Sequence, residues 1–198
     1  MRECDNKDGT CSCCLMLQKL ERLRTRMYSQ HSELERECLE TERRLNNILE
    51  KRVAMSVTLY SDANFQCVGP FDEDRIIHYE HAYINMGDCY NTTTGFFTVP
   101  WSGVYSLALT VYSDAGSQGQ SLAACASLMV NGQLVVGFDD SNRLDQEDSC
   151  TSAVALLLNA GDEVTVNLPA GCFLCDDGSH YNTFSAFLLY LTEQDTEA

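Results

Sequence analysis

The stretch YEHAYINMGDCYNTTTGFFTVPWSGVYSL, residues 79–107, carries aromatic, asparagine and glycine residues at fixed intervals. The spaced positions are Tyr79, Asn85, Tyr90, Phe97, Gly103, Tyr105 and Leu107. At the end of the stretch, Tyr105 and Leu107 alternate with the small polar Ser106. A period of two places apolar side chains on one face of a strand, so the stretch predicts β-structure with one buried face.

The same period continues through the rest of the chain beyond residue 53. Segments 103–112 and 163–168 each put apolar side chains on one face and polar or small ones on the other. Asn131-Gly132 separates two short apolar runs and is a strong hairpin signal, and residues 159–162 form a second turn between apolar segments. Many short strands with such turns, and no helix between them, predict an all-β sandwich or jelly roll.

One segment, residues 184–191, is apolar at nearly every position instead of alternating. A strand without a polar face has to be covered on both sides. The segment therefore predicts a strand at the centre of a sheet or between subunits.

The order and spacing of the positions between Tyr79 and Leu107 resemble the C1q-like globular domain, the extracellular trimeric jelly roll of the C1q and tumour-necrosis-factor superfamily. A second stretch, YNTFSAFL at 181–188, looks like the last core strand of that family, with Ala186 in place of a usual glycine. The resemblance covers roughly residues 52–192 and implies a C1q/TNF-like jelly-roll sandwich that assembles as a homotrimer. The short layout, without a collagen repeat, is similar to cerebellin-like and complement C1q-like proteins, and the cerebellin-like members bridge cell-surface receptors.

Composition divides the chain into a cysteine-rich head at 1–14, a helix at 15–52 and a C1q-like globular domain at 53–198. The middle region has no proline or glycine, and its apolar residues recur at alternating three- and four-residue steps. This pattern predicts an α-helical coiled-coil stalk about 60 Å long. A single amphipathic helix packed on the domain is the alternative, and the pattern does not choose between two and three strands, whereas the resemblance implies three. The stripe consists of Leu17, Leu20, Met27, Leu34, Cys38, Leu45 and Ile48.

Charge is distributed unevenly between the two halves of the chain. Residues 56–198 contain two basic residues, Arg75 and Arg143, against 19 acidic ones, which gives a net charge of −17. Such a surface repels phosphate backbones, so we expect no nucleic-acid partner. It favours basic partners or divalent cations, and the alternative is that the charge serves solubility and suppresses aggregation. No run approaches the roughly 20 apolar residues of a membrane span.

Eleven cysteines favour an oxidising compartment, so we expect a secreted, extracellular protein whose leader peptide is absent from this chain. Asn91-Thr92-Thr93 is a glycosylation acceptor triplet. Six cysteines in the globular region allow several intradomain pairings, and the two-residue gap between Cys172 and Cys175 leaves disulfide, zinc and redox pairs open, with disulfide favoured. The interchain disulfide candidates are Cys4, Cys11, Cys13, Cys14 and Cys38.

Acidic residues cluster in segments that we predict to be turns, where their oxygens offer ligands to calcium. Solvated loops without a bound ion are the alternative, and no other cofactor is expected. The calcium candidates are Asp139, Asp140, Asp145 and Asp148.

No catalytic motif is present, so we expect no enzyme activity. His78 and His81 are three residues apart, which puts them on opposite faces of a strand, and His180 lies in a predicted loop. These histidines are therefore expected at exposed or loop positions instead of around a shared metal ion.

Together these features favour a secreted trimeric recognition protein that binds cell-surface or extracellular ligands through clustered globular heads. Two other functions remain open: an innate-immune pattern-recognition protein for microbial surfaces, and a structural protein of extracellular-matrix assembly. Head cysteines would link trimers into larger disulfide-bonded oligomers.

Overall fold

The computed structural model describes residues 12–116, 120–143 and 146–192, apart from the side chains of residues 12–14 and 140–142. The chain divides into two compact units, with the boundary between Glu50 and Lys51. The described residues of the first unit form one helix, and the second unit is a β-sandwich, in agreement with the predicted fold class.

Helix α1 (Ser12–Glu50) is 39 residues long and begins three residues before the predicted start. Its side chains form surface pairs one turn apart, including Arg44 with Glu40 at 2.7 Å and Arg24 with Glu21 at 3.6 Å. Such exposed pairs stabilise a helix only slightly. The apolar stripe is exposed by 52–69% at Leu17, Leu20, Met27, Leu34, Leu45 and Ile48.

Short strands make up the second unit, as the alternating segments predicted. They are β1 (Ala54–Thr58), β2 (Gln66–Val68), β3 (Arg75–Ile76), β4 (His81–Met86), β5 (Tyr90–Asn91), β6 (Phe96–Thr98), β7 (Gly103–Asp114), β8 (Leu122–Val130), β9 (Gln133–Asn142), β10 (Glu147–Leu158), β11 (Glu163–Leu168), β12 (Leu174–Asp176) and β13 (Thr183–Leu191).

The strands form two large antiparallel sheets and one small ribbon. The first sheet has the order β10, β7, β13, β1 and β4. Strand β13, which contains the apolar segment 184–191, therefore lies at its centre. The second sheet has the order β5, β6, β11, β8 and β9, with β3 also paired to β11. Strands β12 and β2 form the ribbon. Strands that follow one another in the chain are distributed between the two sheets, as in a jelly roll.

The hydrophobic core lies between the two large sheets. The strict alternation of β7 is confirmed, because its odd-numbered residues from Gly103 to Ser113 are buried and its even-numbered residues are partly exposed. Strand β13 contributes Phe184 and Ala186 to the same core. The largest fully buried side chains include Tyr79, Tyr105, Phe97, Phe184, Met55 and Leu59.

Both predicted turns are present. Asn131 (φ 49°) and Gly132 (φ 74°) adopt left-handed backbone conformations between β8 and β9, as a two-residue hairpin turn requires. The turn at 159–162 carries the chain from one large sheet to the other. There the Asp162 carboxylate accepts hydrogen bonds from the Asn159 backbone N–H at 2.7 Å and from the Asn131 side chain at 2.9 Å.

Candidate functional site

The spaced residues between Tyr79 and Leu107 hold the fold together. The side chain of Asn85 donates a hydrogen bond to the Tyr90 carbonyl at 2.9 Å and accepts one from the Tyr90 N–H at 3.1 Å. The Tyr90 hydroxyl in turn accepts the Tyr79 N–H at 3.0 Å. Burial raises the pKa of Tyr90 to about 12, and the hydrogen bond from the Tyr79 N–H lowers this pKa by a smaller amount. The Tyr90 hydroxyl therefore stays protonated at neutral pH.

Gly103 in the same motif permits a close approach of two strands. A Cβ atom at this position would lie 2.5 Å from the Tyr190 carbonyl oxygen in β13. The residues that identify the fold are therefore packing residues, and a binding surface has to be sought elsewhere.

The exposed face of the five-stranded sheet is the best candidate for such a surface. Because register aligns residues across neighbouring strands, same-face side chains form rungs that run perpendicular to the strands. Three consecutive rungs, which we call the outer face, contain no charged residue. They are Met86, Ala54, Phe187, Ser106 and Ala155; Ile84, Ser56, Ser185, Ala108 and Ala153; and Tyr190, Val104 and Leu157.

The large apolar side chains of the outer face are accessible in the single chain. Phe187 is 42% exposed and Met86 is 41% exposed, and Leu157 and Tyr190 are more exposed still. In the rung at one end of the outer face, Ser56 of β1 and Ser185 of β13 share a hydrogen bond of 3.0 Å. An uncharged apolar strip in a domain of net charge −17 is the kind of surface that protein partners cover.

A second group of side chains lies at the start of β4 and in the loop before β13. The rings of His81 and His180 stack with their centroids 6.2 Å apart, and Tyr83 meets both edge-on at 5.2 and 5.8 Å. The Nδ1 atom of His180 is buried and has no hydrogen-bond partner within the described residues. His81 and His180 are far apart in the chain, so spacing gave no signal of their proximity, whereas His78 is an exposed loop residue as expected.

The prediction of disulfide bonds in the globular region is confirmed. Cys67 is bonded to Cys175 across the β2–β12 ribbon, and Cys125 of β8 is bonded to Cys172. The Cys172 and Cys175 sulfurs therefore have different partners, which leaves neither for a shared zinc ion or a redox pair.

Three other cysteines among the described residues are free thiols. Cys89 is buried, whereas Cys38 on α1 and Cys150 on β10 are exposed. Burial raises the pKa of Cys89 to about 11, so it is a protonated packing residue at neutral pH. Among the interchain candidates, Cys4 and Cys11 lie outside the described residues, and the side chains of Cys13 and Cys14 are not described.

The prediction that the acidic residues lie in turns is wrong for several of them. Asp139 and Asp140 lie in β9, and Asp148 lies in β10, because these edge strands extend further than their apolar patterns indicated. Asp176 ends β12 and is fully buried, and its carboxylate accepts the Tyr181 and Asn182 N–H groups.

The calcium hypothesis stays a prediction. The Asp140 side chain and the whole of Asp145 lie outside the described part of the chain. Among the described residues, no three acidic, histidine or cysteine side chains are grouped so that they could hold a metal ion.

Asn91 lies at the end of β5, before the turn that leads to β6. Its side chain is exposed, and its Oδ1 accepts the backbone N–H groups of Thr93 at 2.9 Å and Thr94 at 3.3 Å. An exposed asparagine on a turn is a suitable glycosylation acceptor, although its modification remains a prediction. No helix within the described ranges is both long and apolar enough to cross a bilayer.

Comparisons with known proteins agree with the fold. Residues 62–189 match the family model of the C1q domain. Caprin-2 of Danio rerio is 29% identical over 143 residues, which are 72% of this chain, and the chain spans only 15% of that relative's length.

Two solved structures have the same architecture at low sequence identity. The globular domain of zebrafish complement 1qA protein matches with a TM-score of 0.52 and 20% identity, covering 71% of this chain and 99% of that one. The structure of Eiger TNF from S. frugiperda matches with a TM-score of 0.55 and 16% identity, covering 72% of this chain and 96% of that one. The resemblance predicted from the residues is thereby confirmed, and the chain belongs to the C1q domain family.

Proposed function

We propose that this chain is a secreted, non-enzymatic recognition protein that works as a homotrimer. Its globular domains contact one another through the outer face, its α1 helices form a coiled-coil stalk, and the clustered heads bind an extracellular or cell-surface ligand. The observation that carries the proposal is the outer face itself, with three uncharged rungs in a strongly acidic domain.

Electrostatics restrict where copies of this domain can meet. Residues 56–198 carry a net charge of −17, so two copies repel each other over most of their surfaces. Contact through the outer face places no like charges directly opposite each other. It also removes Phe187, Met86 and Leu157 from water, and each side chain contributes on the order of 1 kcal/mol because it is already partly covered.

The exposed stripe of α1 supports the same assembly. A lone helix gains nothing from leucines that remain in water, whereas a coiled coil buries such a stripe along its whole length. Cys38 lies in this stripe with an exposed thiol, which suits a disulfide between helices.

Clustering the heads raises the affinity for a clustered ligand above that of a single domain. Once one head has bound, the others search only the volume that the stalk allows, and avidity exceeds single-site affinity by about 100-fold or more. The two disulfides and the exposed Asn91 support an extracellular location.

The test is the mass of the full-length protein in solution, measured by sedimentation with and without reductant. We expect three times the 22.1 kDa chain mass with reductant, and larger species without it if head cysteines link trimers. Phe187→Asp places a carboxylate in the middle of the outer face and should shift the reduced protein towards monomer.

Leu134→Asp is the matched control, because Leu134 is 63% exposed on β9, in the other sheet. This variant should remain a trimer. A reduced wild-type protein that sediments as a monomer at micromolar concentration would contradict the proposal, as would equal dissociation of both variants.

A further inference from the structure

A groove on the globular domain lies apart from the outer face and has no assigned role. It has a volume of about 560 Å³, which is within the usual range of ligand sites. Its base and walls are mainly apolar, and they come from the residues that follow β1, from β2, from the segment around β3 and from β11. They include Leu59, Tyr60, Val68, Phe71, Ile77 and Leu168.

The apolar part of the groove is built on the core of the domain. Leu59, Ile77 and Leu168 are buried, so the base is fixed by packing. Tyr60 and Phe71 are only half-buried and leave part of each ring open to an incoming group. A preformed apolar surface of this kind binds without a large ordering cost.

The rim of the groove is mainly acidic. Asp74 and Glu80 line it, and the Asp74 carboxylate is held in place by the Ala170 N–H at 2.9 Å. Glu73 lies next to Asp74 in the chain. Arg75 and His78 also line the groove. The Arg75 guanidinium stacks over Phe71 at 4.5 Å and pairs with Glu73 at 3.6 Å.

The groove consequently has a negative potential at its mouth. Burial raises the pKa of Tyr60, and the nearby carboxylates of Glu80, Asp176 and Asp62 raise it further. An anionic ligand would meet this field and the overall charge of the domain, whereas a cationic one is attracted by both.

We propose that this groove binds an extended peptide segment of a partner protein, in which an apolar side chain enters the groove and flanking lysine or arginine side chains contact the acidic rim. The partly exposed Tyr60, Val68 and Phe71 supply the apolar contact area above the buried base. The charges select basic sequences and speed association. This proposal deepens the proposed function and rests on it, because it names the class of ligand that the recognition protein binds. Because one chain forms the whole groove, its test is independent of the trimer mass.

Fluorescence anisotropy of the full-length protein tests this idea with a labelled nonapeptide that has a central leucine flanked by two arginines on each side. We expect saturable binding that weakens at high salt. Glu80→Gln should weaken it about two- to fivefold, and Glu73→Gln in the same background should weaken it further. Val68→Lys, which fills the groove with a cation, should abolish it.

Glu163→Gln is the control for charge, because Glu163 is exposed at the start of β11 outside the groove, and Leu134→Lys is the control for an added cation. Both should bind like wild type, and thermal unfolding would check that every variant is folded. A peptide with glycine in place of the leucine should bind at least tenfold more weakly. Equal binding of that peptide, equal weakening by Glu163→Gln, or no binding of any peptide would overturn the proposal.

Discussion

Both faces of the five-stranded sheet carry large apolar side chains, but the environments of these side chains differ. Strand β13 shows the difference within two adjacent residues, because Ala186 is completely buried and Phe187 is 42% exposed. The inner face is covered by the second sheet of the same chain, whereas the described residues leave the outer face open. This uncovered apolar face is the surface through which we propose that a second chain binds.

The largest expected difference between the faces comes from removing a phenylalanine from each. Phe184→Ala empties a fully buried site and should cost about 3–5 kcal/mol of unfolding free energy. Phe187→Ala removes a partly exposed ring and should leave the folding of a single domain nearly unchanged. Urea unfolding of the full chain at two protein concentrations tenfold apart measures both effects.

The dependence of the unfolding midpoint on protein concentration distinguishes the buried Phe184 from the exposed Phe187. Phe184→Ala should keep the concentration dependence of the wild-type midpoint, because only contacts between chains respond to concentration. Phe187→Ala should reduce that dependence. If both variants lost the same free energy at both concentrations, the outer face would be no interface.

A smaller effect is expected from the alkaline titration of the core next to the inner face. Burial raises the pKa of Cys89 from 9.0 to about 11, so folding favours the protonated thiol. The stabilising contribution is complete below pH 9 and should be lost as the pH rises towards 11. Cys89→Ala should flatten this part of the stability profile, measured as the urea midpoint between pH 8 and pH 11.

The exposed Cys150 serves as the internal reference for that experiment. At pH 8 it should react rapidly with a thiol reagent, while Cys89 reacts only on unfolding. Rapid labelling of Cys89 in the folded protein would show that the thiol is not protected by burial.

The smallest effect is expected from the serine pair at one end of the outer face. Ser185→Ala removes the 3.0 Å hydrogen bond to Ser56, and the loss should be about 1 kcal/mol or less because the pair is only part-buried. Thermal unfolding at low protein concentration measures it, with Thr151→Ala, which removes the exposed 3.0 Å bond to Thr110, as the comparison. A loss of several kcal/mol at Ser185 would mean that the pair lies in a closed interface.

Local patterns predicted much of the fold because they depend on neighbours in the chain. The alternation in β7, the Asn131-Gly132 turn and the apolar stripe of α1 are all read over a few residues, and all are present. Patterns failed at the edges of sheets, where Asp139 and Asp148 lie in long strands that acidic composition suggested were turns. Edge strands tolerate charge because one side of the strand is in water.

Local sequence patterns predicted the candidate surfaces less well than they predicted the strands. The sequence predicted that the segment around Phe187 needs cover on both faces, but it could not name the strands on either side. The stacking of His81 on His180 also depends on the fold, because these residues are far apart in the chain and no periodicity relates them.

The sequence by itself determined the class of each region, namely a long helix followed by a β-sandwich, because periodicity and turn chemistry are local properties of the chain. The resemblance of its spaced residues to the C1q-like domain named the family. The sequence also determined the acidic character of the domain. Only the tertiary structure decided which cysteines pair, which side of β13 stays exposed and which residues enclose the groove. These depend on strand order and register, which bring together residues as far apart as Cys67 and Cys175, 108 positions apart in the chain.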